Sequence, residues 1–375
     1  MRIAVNAIFM QNNPLEGFGN FANQIVEQLI KSYPEHQFLL VYDRPFDSKH
    51  LSAPNVQSIM TGPQARHPLS FLTWYNWSLP RAIRSFKPDI LLQPYGFSSA
   101  GTKVPQLLTL HDIAFVKYPK FVPKKQRLFY QIFNKKFVKR AARLNTVSDF
   151  SRKEIAAYYS ISEENIDIIP NGIKPIFQPL SWEEKERVKE QFTEGNEFFL
   201  CTGTLQPRKN LLTLLKAFSI FKKRQRSSMK LVIAGRKGWG IEEFEEKLAS
   251  FKFRKDVILT GYLSDEVLAQ LTGAAYAMIY PSYYEGFGVP VLEAMQAGVP
   301  VITSSNSAMS SICESAAVYA SPTVPDEWAM HMNFLYSNET YRSQLIEKGT
   351  QLVQPYTWEH AAKAYMDSIM KTLGA

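Results

Sequence analysis

Long hydrophobic runs are missing from this 375-residue chain. No stretch approaches the roughly 18 apolar residues a membrane-spanning helix requires, so none is expected. Cysteine is scarce. Cys201 and Cys313 lie far apart without metal-ligand spacing, which excludes a disulfide framework and a zinc module. Cys201 falls inside the apolar run Phe198-Phe-Leu-Cys201 and reads as a reduced core thiol, which fits a cytoplasmic protein. A secretory leader is also not expected, because a strand-like pattern begins at once with Arg2-Ile-Ala-Val-Asn6. No Asp-x-Asp pair suggests a metal site, so no metal and no bound cofactor are expected. Acidic residues are absent from Ile113 to Val147.

What is present is ordinary in amount and uneven in placement. Hydrophobic residues make up 45% of the chain and the mean hydropathy is −0.20, values typical of a globular protein. The length allows two domains. Residues 1–175 hold 22 basic and 12 acidic residues against 21 and 22 in the remainder, so the net charge of +9 belongs to the first half. A basic half suggests an acidic partner or surface.

The stretch from Tyr280 to Thr303 organises the rest. Ala275 to Tyr280 and Val299 to Thr303 are short apolar runs that read as buried strands, with one helix between them. Pro290 suits a first helical turn and Gly298 the left-handed position that ends a helix. Gly286 and Gly288 let backbone approach a ligand. A helix start at the carboxyl end of a parallel strand favours an anion, typically phosphate. Glu285 is placed on the loop and Glu293 in the first helical turn. A carboxylate beside phosphate is repelled unless cations intervene, yet it accepts bonds from vicinal hydroxyls. A nucleotide sugar meets both demands. Taken alone, Glu293 fits equally well a residue that only complements the helix dipole.

The run Pro281-Ser-Tyr-Tyr-Glu285-Gly-Phe-Gly288-Val-Pro290-Val-Leu-Glu293-Ala-Met-Gln-Ala-Gly298-Val-Pro300 resembles the Glu-x7-Glu signature of the family-4 (group 1) retaining glycosyltransferases. The resemblance extends along nearly the whole chain. It implies the GT-B fold: α/β, with two Rossmann-like domains facing each other across a cleft. Residues 1–175 would form an acceptor-binding domain and 180–356 a nucleotide-sugar-binding domain. The terminal helix, 357–375, would return to the first.

Taken in order, Ile3 to Ala7 leads to Gly17-Phe-Gly19 and a helix with Phe21, Ile25, Leu29 and Ile30 on one face. Glycine loops of this kind are often ordinary turns; the resemblance implies that Gly17 and Gly19 lie near the donor diphosphate and the acceptor. Ser70 to Phe86 reads as helical, kinked at Pro80. Gln106 to Leu110 runs into His111-Asp112. A histidine there faces the crevice or bonds a loop carbonyl, and the resemblance implies that His111 meets the donor sugar. Arg208 and Lys209 follow the strand Phe198–Gly203, where they supply the cations that two carboxylates and a phosphate require. The resemblance puts them on the diphosphate, with Gly286, Phe287, Gly288, Val289 and Glu293 completing the donor site. Catalytic roles fall on His111, Arg208, Lys209 and Glu285. Between Lys117 and Arg143, Phe129, Phe133 and Phe137 recur every four residues on a basic helix. The stripe fits either a core contact or an anionic membrane surface.

The activity implied is a retaining, metal-independent transfer of a mannose- or glucose-type hexose from a UDP or GDP sugar to a hydroxyl of a glycan or lipid-linked acceptor. The setting would be cell-surface polysaccharide synthesis, with the protein cytoplasmic and peripheral on the inner face of a membrane. A nucleotide-sugar 2-epimerase of the same fold is the alternative. An NAD-dependent dehydrogenase fits worse, because Gly17 lies too far beyond the strand ending near Ala7. A basic lipid- or nucleic-acid-binding protein is the non-enzymatic alternative, although no nucleic-acid motif accompanies the charge.

Overall fold

The computed structural model describes residues 1–10, 17–47, 49 and 51–374, the Gln126 side chain excepted. It forms two compact units, Met1–Gly172 with Thr357–Ala375, and Ile173–Tyr356. The first carries β1 (Arg2–Asn6), β2 (Gln37–Tyr42), β3 (Val56–Met60), β4 (Ile90–Gln93), β5 (Gln106–Thr109), β6 (Arg143–Thr146) and β7 (Ile166–Ile168). They form one parallel sheet in the order β3-β2-β1-β4-β5-β6-β7. The second carries β8 (Phe198–Thr202), β9 (Lys230–Ala234), β10 (Val257–Gly261), β11 (Ala277–Tyr280), β12 (Val301–Ser304) and β13 (Ala317–Ala320). Its sheet is also parallel, in the order β10-β9-β8-β11-β12-β13.

The strand sequences explain this arrangement. Ile3, Ala4 and Val5, or Phe198, Phe199 and Leu200, are buried without alternation, because helices cover both faces of each sheet. Strand order reverses between β1 and β4 in the first unit and between β8 and β11 in the second. Those switch points open a crevice at the carboxyl ends of the strands, where doubly wound sheets take ligands.

Several local expectations change. Gly17 and Gly19 lie in the first turn of the helix Gly17–Ser32 rather than in a loop; residues 11–16 lie outside the described residues. The irregularity in the helical stretch after Pro68 is a π-helical turn, Trp74–Ser78, and Pro80 sits near the start of the next helix, Leu79–Ile83. On the basic helix Lys124–Arg140 the aromatic stripe faces inward. Phe137 is buried and packs on Phe97, while Phe129 meets Phe71 at 5.5 Å. The outer face instead carries Lys124, Lys125, Lys135, Lys136 and Lys139 with Leu128 and Ile132, which are 57% and 50% exposed.

The helix Trp358–Leu373 belongs to the first unit. Its anchor is Asp167, whose carboxylate accepts from Arg143 Nε at 2.5 Å, Ser368 Oγ at 2.6 Å and Lys371 Nζ at 3.1 Å. Burial alone would raise that carboxyl, but these donors outweigh it and hold it at about 2.

Candidate active site

The second unit concentrates the predicted charges at its switch point. The chain leaves β8 through Gly203 and makes a single 3-10 turn, Pro207–Lys209. Asn210 then takes a left-handed conformation, φ 58°. Its amide stabilises that conformation by donating to the carbonyls of Pro281 and Pro322, at 3.0 and 2.6 Å. The turn is thereby tied to the chain leaving β11, and the Tyr283 N–H donates to the Arg208 carbonyl at 2.9 Å.

Glu285 lies between the two cations. Arg208 Nη1 stands 2.6 Å from its Oε2 and Lys209 Nζ 2.9 Å from its Oε1. Arg208 Nη1 also donates to the Tyr284 carbonyl at 2.7 Å. Burial would raise the Glu285 carboxyl, but Arg208 and Lys209 outweigh it and hold it at about 2. Burial pulls the Lys209 ammonium below its ordinary value, with Glu285 opposing. The trio therefore carries one unbalanced positive charge in a largely desolvated place, where charge acts strongly.

Two residues that sequence reasoning passed over shape this site. Gly203 has φ +118°, and a Cβ there would lie 3.1 Å from Lys209 Cε. The lysine runs against bare backbone. Tyr280, the last residue of β11, places its ring 4.5 Å from Lys209 Nζ and its hydroxyl within hydrogen-bond reach of the same nitrogen. That hydroxyl also donates to Glu285 Oε1 at 3.3 Å. The signal for Gly203 was a glycine at the end of a buried strand. For Tyr280 there was only a hydroxyl at a position otherwise apolar.

Gly286, Phe287 and Gly288 are buried and lead into the helix Val289–Gln296. Gly288 occupies its N-cap with φ 100°, and no side chain caps the helix. Its N-terminus thus offers backbone N–H groups to an anion. Glu293 is the fifth helical residue, so it sits in the second turn and not the first. The helix dipole acts mainly within the first turn, which weakens the reading of Glu293 as a dipole complement. Burial pushes its carboxyl up to about 7, against Lys174 and with Asp265.

His111, Gly17 and Gly19 belong to the first unit. His111 follows β5, and its Nε2 stands 3.2 Å from the Pro94 carbonyl beyond β4. Its ring meets Phe21 edge-on at 4.9 Å. Burial lowers its pKa, opposed by Pro94 and Asp112, so the neutral ring with Nε2–H donating is favoured. Asp112 accepts the Ala114 N–H at 2.8 Å and holds a turn.

Among the described residues no group of three or more His, Cys, Asp or Glu is arranged to hold a metal ion, and no helix is long and apolar enough to cross a membrane.

Two parallel Rossmann-like units are the architecture of the GT-B fold, and the second bears a cationic pair at its switch point. Residues 183–352 match the glycosyl transferases group 1 family and residues 16–176 match glycosyltransferase family 4. The chain is a GT-B glycosyltransferase related to those families. It is 26% identical over 359 residues to O-antigen chain mannosyltransferase B of Escherichia coli, covering 92% of this chain and 94% of that one. Its fold is similar to Anabaena HepE, solved with UDP and glucose, at TM-score 0.75 and 16% identity over 99% of this chain and 100% of that one. WaaG, a glycosyltransferase involved in lipopolysaccharide biosynthesis, also has TM-score 0.75, at 15% identity over 98% and 99% of the two chains.

Proposed function

We propose that this enzyme moves a mannose- or glucose-type hexose, with retention, from a UDP or GDP sugar to a hydroxyl of a glycan or lipid-linked acceptor in cell-surface polysaccharide synthesis. The observation that carries the donor reading is the Arg208–Glu285–Lys209 trio at the β8/β11 switch point, beside an uncapped helix start. A diphosphate leaving group needs its growing charge met by fixed donors. Arg208, Lys209 and the N–H groups after Gly286 are such donors, and no metal is required for this.

In the transfer, the acceptor oxygen bonds to the anomeric carbon on the face from which the bond to the phosphate oxygen breaks. The electron pair leaves with the diphosphate, and the acceptor proton passes to that phosphate oxygen. Glu285 offers roughly four lone-pair sites. Two take the cations and one takes Tyr280, which leaves about one for a donor-sugar hydroxyl. Glu293 takes the ribose diol, and His111 with Gly17 and Gly19 serves the sugar and acceptor side. The relative from E. coli, an O-antigen mannosyltransferase, supports the polysaccharide setting.

The outer face of Lys124–Arg140 supports peripheral attachment to the inner face of a membrane, with Leu128 and Ile132 entering the interface and the lysines meeting anionic headgroups. Sedimentation with liposomes that differ only in anionic lipid tests this part; equal binding to both would remove it. The transfer itself is tested with GDP-mannose and UDP-glucose, a simple alkyl glycoside as acceptor, and chelator present. The expected product keeps the donor's anomeric configuration by NMR. An inverted product, or turnover abolished by chelator and restored by a metal, would refute the mechanism.

A further inference from the structure

A lysine ammonium has three N–H vectors that rotate together about the Cε–Nζ bond. One hydrogen bond leaves that rotor loose, whereas two fix all three directions. Lys209 has two acceptors in place: Glu285 Oε1 at 2.9 Å and the Tyr280 hydroxyl. The same hydroxyl donates to Glu285 Oε1 at 3.3 Å, so Lys209, Tyr280 and Glu285 close a three-membered ring of hydrogen bonds. The lysine stem is confined as well. Gly203 backbone lies along Cε on one side, and the Tyr280 ring is 4.5 Å from Nζ. Tyr280 is buried and sits where β11 meets the loop to Glu285.

We propose that Tyr280 is a positioning residue for the transfer, whose hydroxyl fixes the Lys209 rotor so that the third N–H points to the departing diphosphate. This rests on the reading of Lys209 as a diphosphate ligand. The transfer depends on where Lys209 aims its charge, because donors held in place before reaction need no reorganisation as charge grows. Tyr280 therefore acts through Lys209 and does not touch the donor itself. The charged and titratable groups around Lys209 are Glu285, Arg208, Tyr280 and Cys201, and burial pushes the Cys201 thiol up to about 12. Tyr280→Phe removes one acceptor of the ammonium and leaves the ring in place. The ammonium is then less favoured, so Lys209 loses its proton at lower pH.

The experiment compares the full chain with Tyr280→Phe and Lys209→Ala. Release of nucleoside diphosphate from GDP-mannose and from UDP-glucose is followed from about pH 6 to about pH 10, a range that spans the ordinary lysine pKa. In Tyr280→Phe, kcat should fall roughly 10- to 100-fold, the range expected for losing a hydrogen bond to a charged group. The alkaline limb of kcat should move to lower pH, and the Kd for GDP or UDP should change by less than about threefold. The limb position does not depend on the fraction of folded enzyme, so partial misfolding cannot imitate this result. Unchanged kcat and limb, or a fall in kcat with the limb unmoved, overturns the role of Tyr280 while Lys209→Ala is inactive. Full turnover by Lys209→Ala would instead overturn the diphosphate reading on which this role rests.

Discussion

Replacing Glu285 by Gln separates its electrostatic from its steric contribution. The variant keeps the shape and removes the anion shared by Arg208 and Lys209, whose side chains are 21% and 9% exposed. The Glu285 carboxyl is held at about 2 against an ordinary 4.5. A depression of that size corresponds to roughly 3 kcal/mol of stability at neutral pH. Breaking a buried ion pair from one side costs roughly 3–5 kcal/mol, in agreement. The sign follows from the depressed pKa: the contribution is complete above the unfolded value of 4.5 and is lost as pH falls towards 2. It is about halved near pH 3. The unit Ile173–Tyr356 should lose roughly 6–12 °C in melting temperature at pH 7, measured by scanning calorimetry. A nucleoside diphosphate supplies replacement negative charge, so saturating GDP or UDP should recover much of that loss and stabilise Glu285→Gln more than wild type. A loss under about 0.5 kcal/mol, within the ordinary range for a surface substitution, would refute the reasoning. So would a smaller ligand shift in the variant.

Glu293, raised to about 7 by burial, should make GDP or UDP binding tighten by up to about tenfold as pH rises from about 6 to about 8. Glu293→Gln should flatten that dependence in calorimetric titrations. Because a raised carboxyl costs stability above its unfolded pKa, this variant should also be more stable than wild type at pH 8 without ligand. Asp167→Asn removes the charge, and one of the two acceptor oxygens, that Arg143, Ser368 and Lys371 share and should destabilise the first unit by about 2 kcal/mol at neutral pH. That deficit should fade as acid protonates the wild-type carboxyl towards pH 2, as read by urea unfolding. Gly203→Ala forces a side chain into φ +118° and against Lys209 Cε. Turnover should fall at least tenfold while the melting loss stays within about 1–2 kcal/mol.

Both parallel sheets were largely legible because most of their strands are short, mainly apolar runs bounded by turn residues; Phe198–Thr202 and Val301–Ser304, buried at every position, are examples. The exceptions are two edge strands: β3, Val56–Met60, whose burial is mixed and whose Gln57 and Ser58 break the apolar run, and β13, Ala317–Ala320, a run of only four residues. Arg208, Lys209 and Glu285 were legible as charges at strand ends, where a parallel sheet gathers them. That these cations would meet a carboxylate was anticipated; that both would close on Glu285 was not, since it depends on Asn210 tying two loops through carbonyls at Pro281 and Pro322. Glu293 was read in the first turn rather than the second because the helix, capped at Gly288, starts already at Val289, one residue before Pro290. The direction of the Phe129, Phe133 and Phe137 stripe was undetermined because Leu128 and Ile132 place a second apolar strip on the same helix. Contact with Phe71 and Phe97 decides it.

The central claim is that Arg208 and Lys209 bind a nucleoside diphosphate without metal. Its most direct test is the thermal shift of wild type and of the Arg208→Ala/Lys209→Ala double variant with UDP, GDP, ADP and NAD, each with chelator present. At about 100 times its Kd, a true ligand stabilises by roughly 2.7 kcal/mol, or several degrees. The account predicts a shift with at least one of UDP and GDP in wild type and its loss in the double variant. A shift with NAD alone, or an equal diphosphate shift in both proteins, would contradict it.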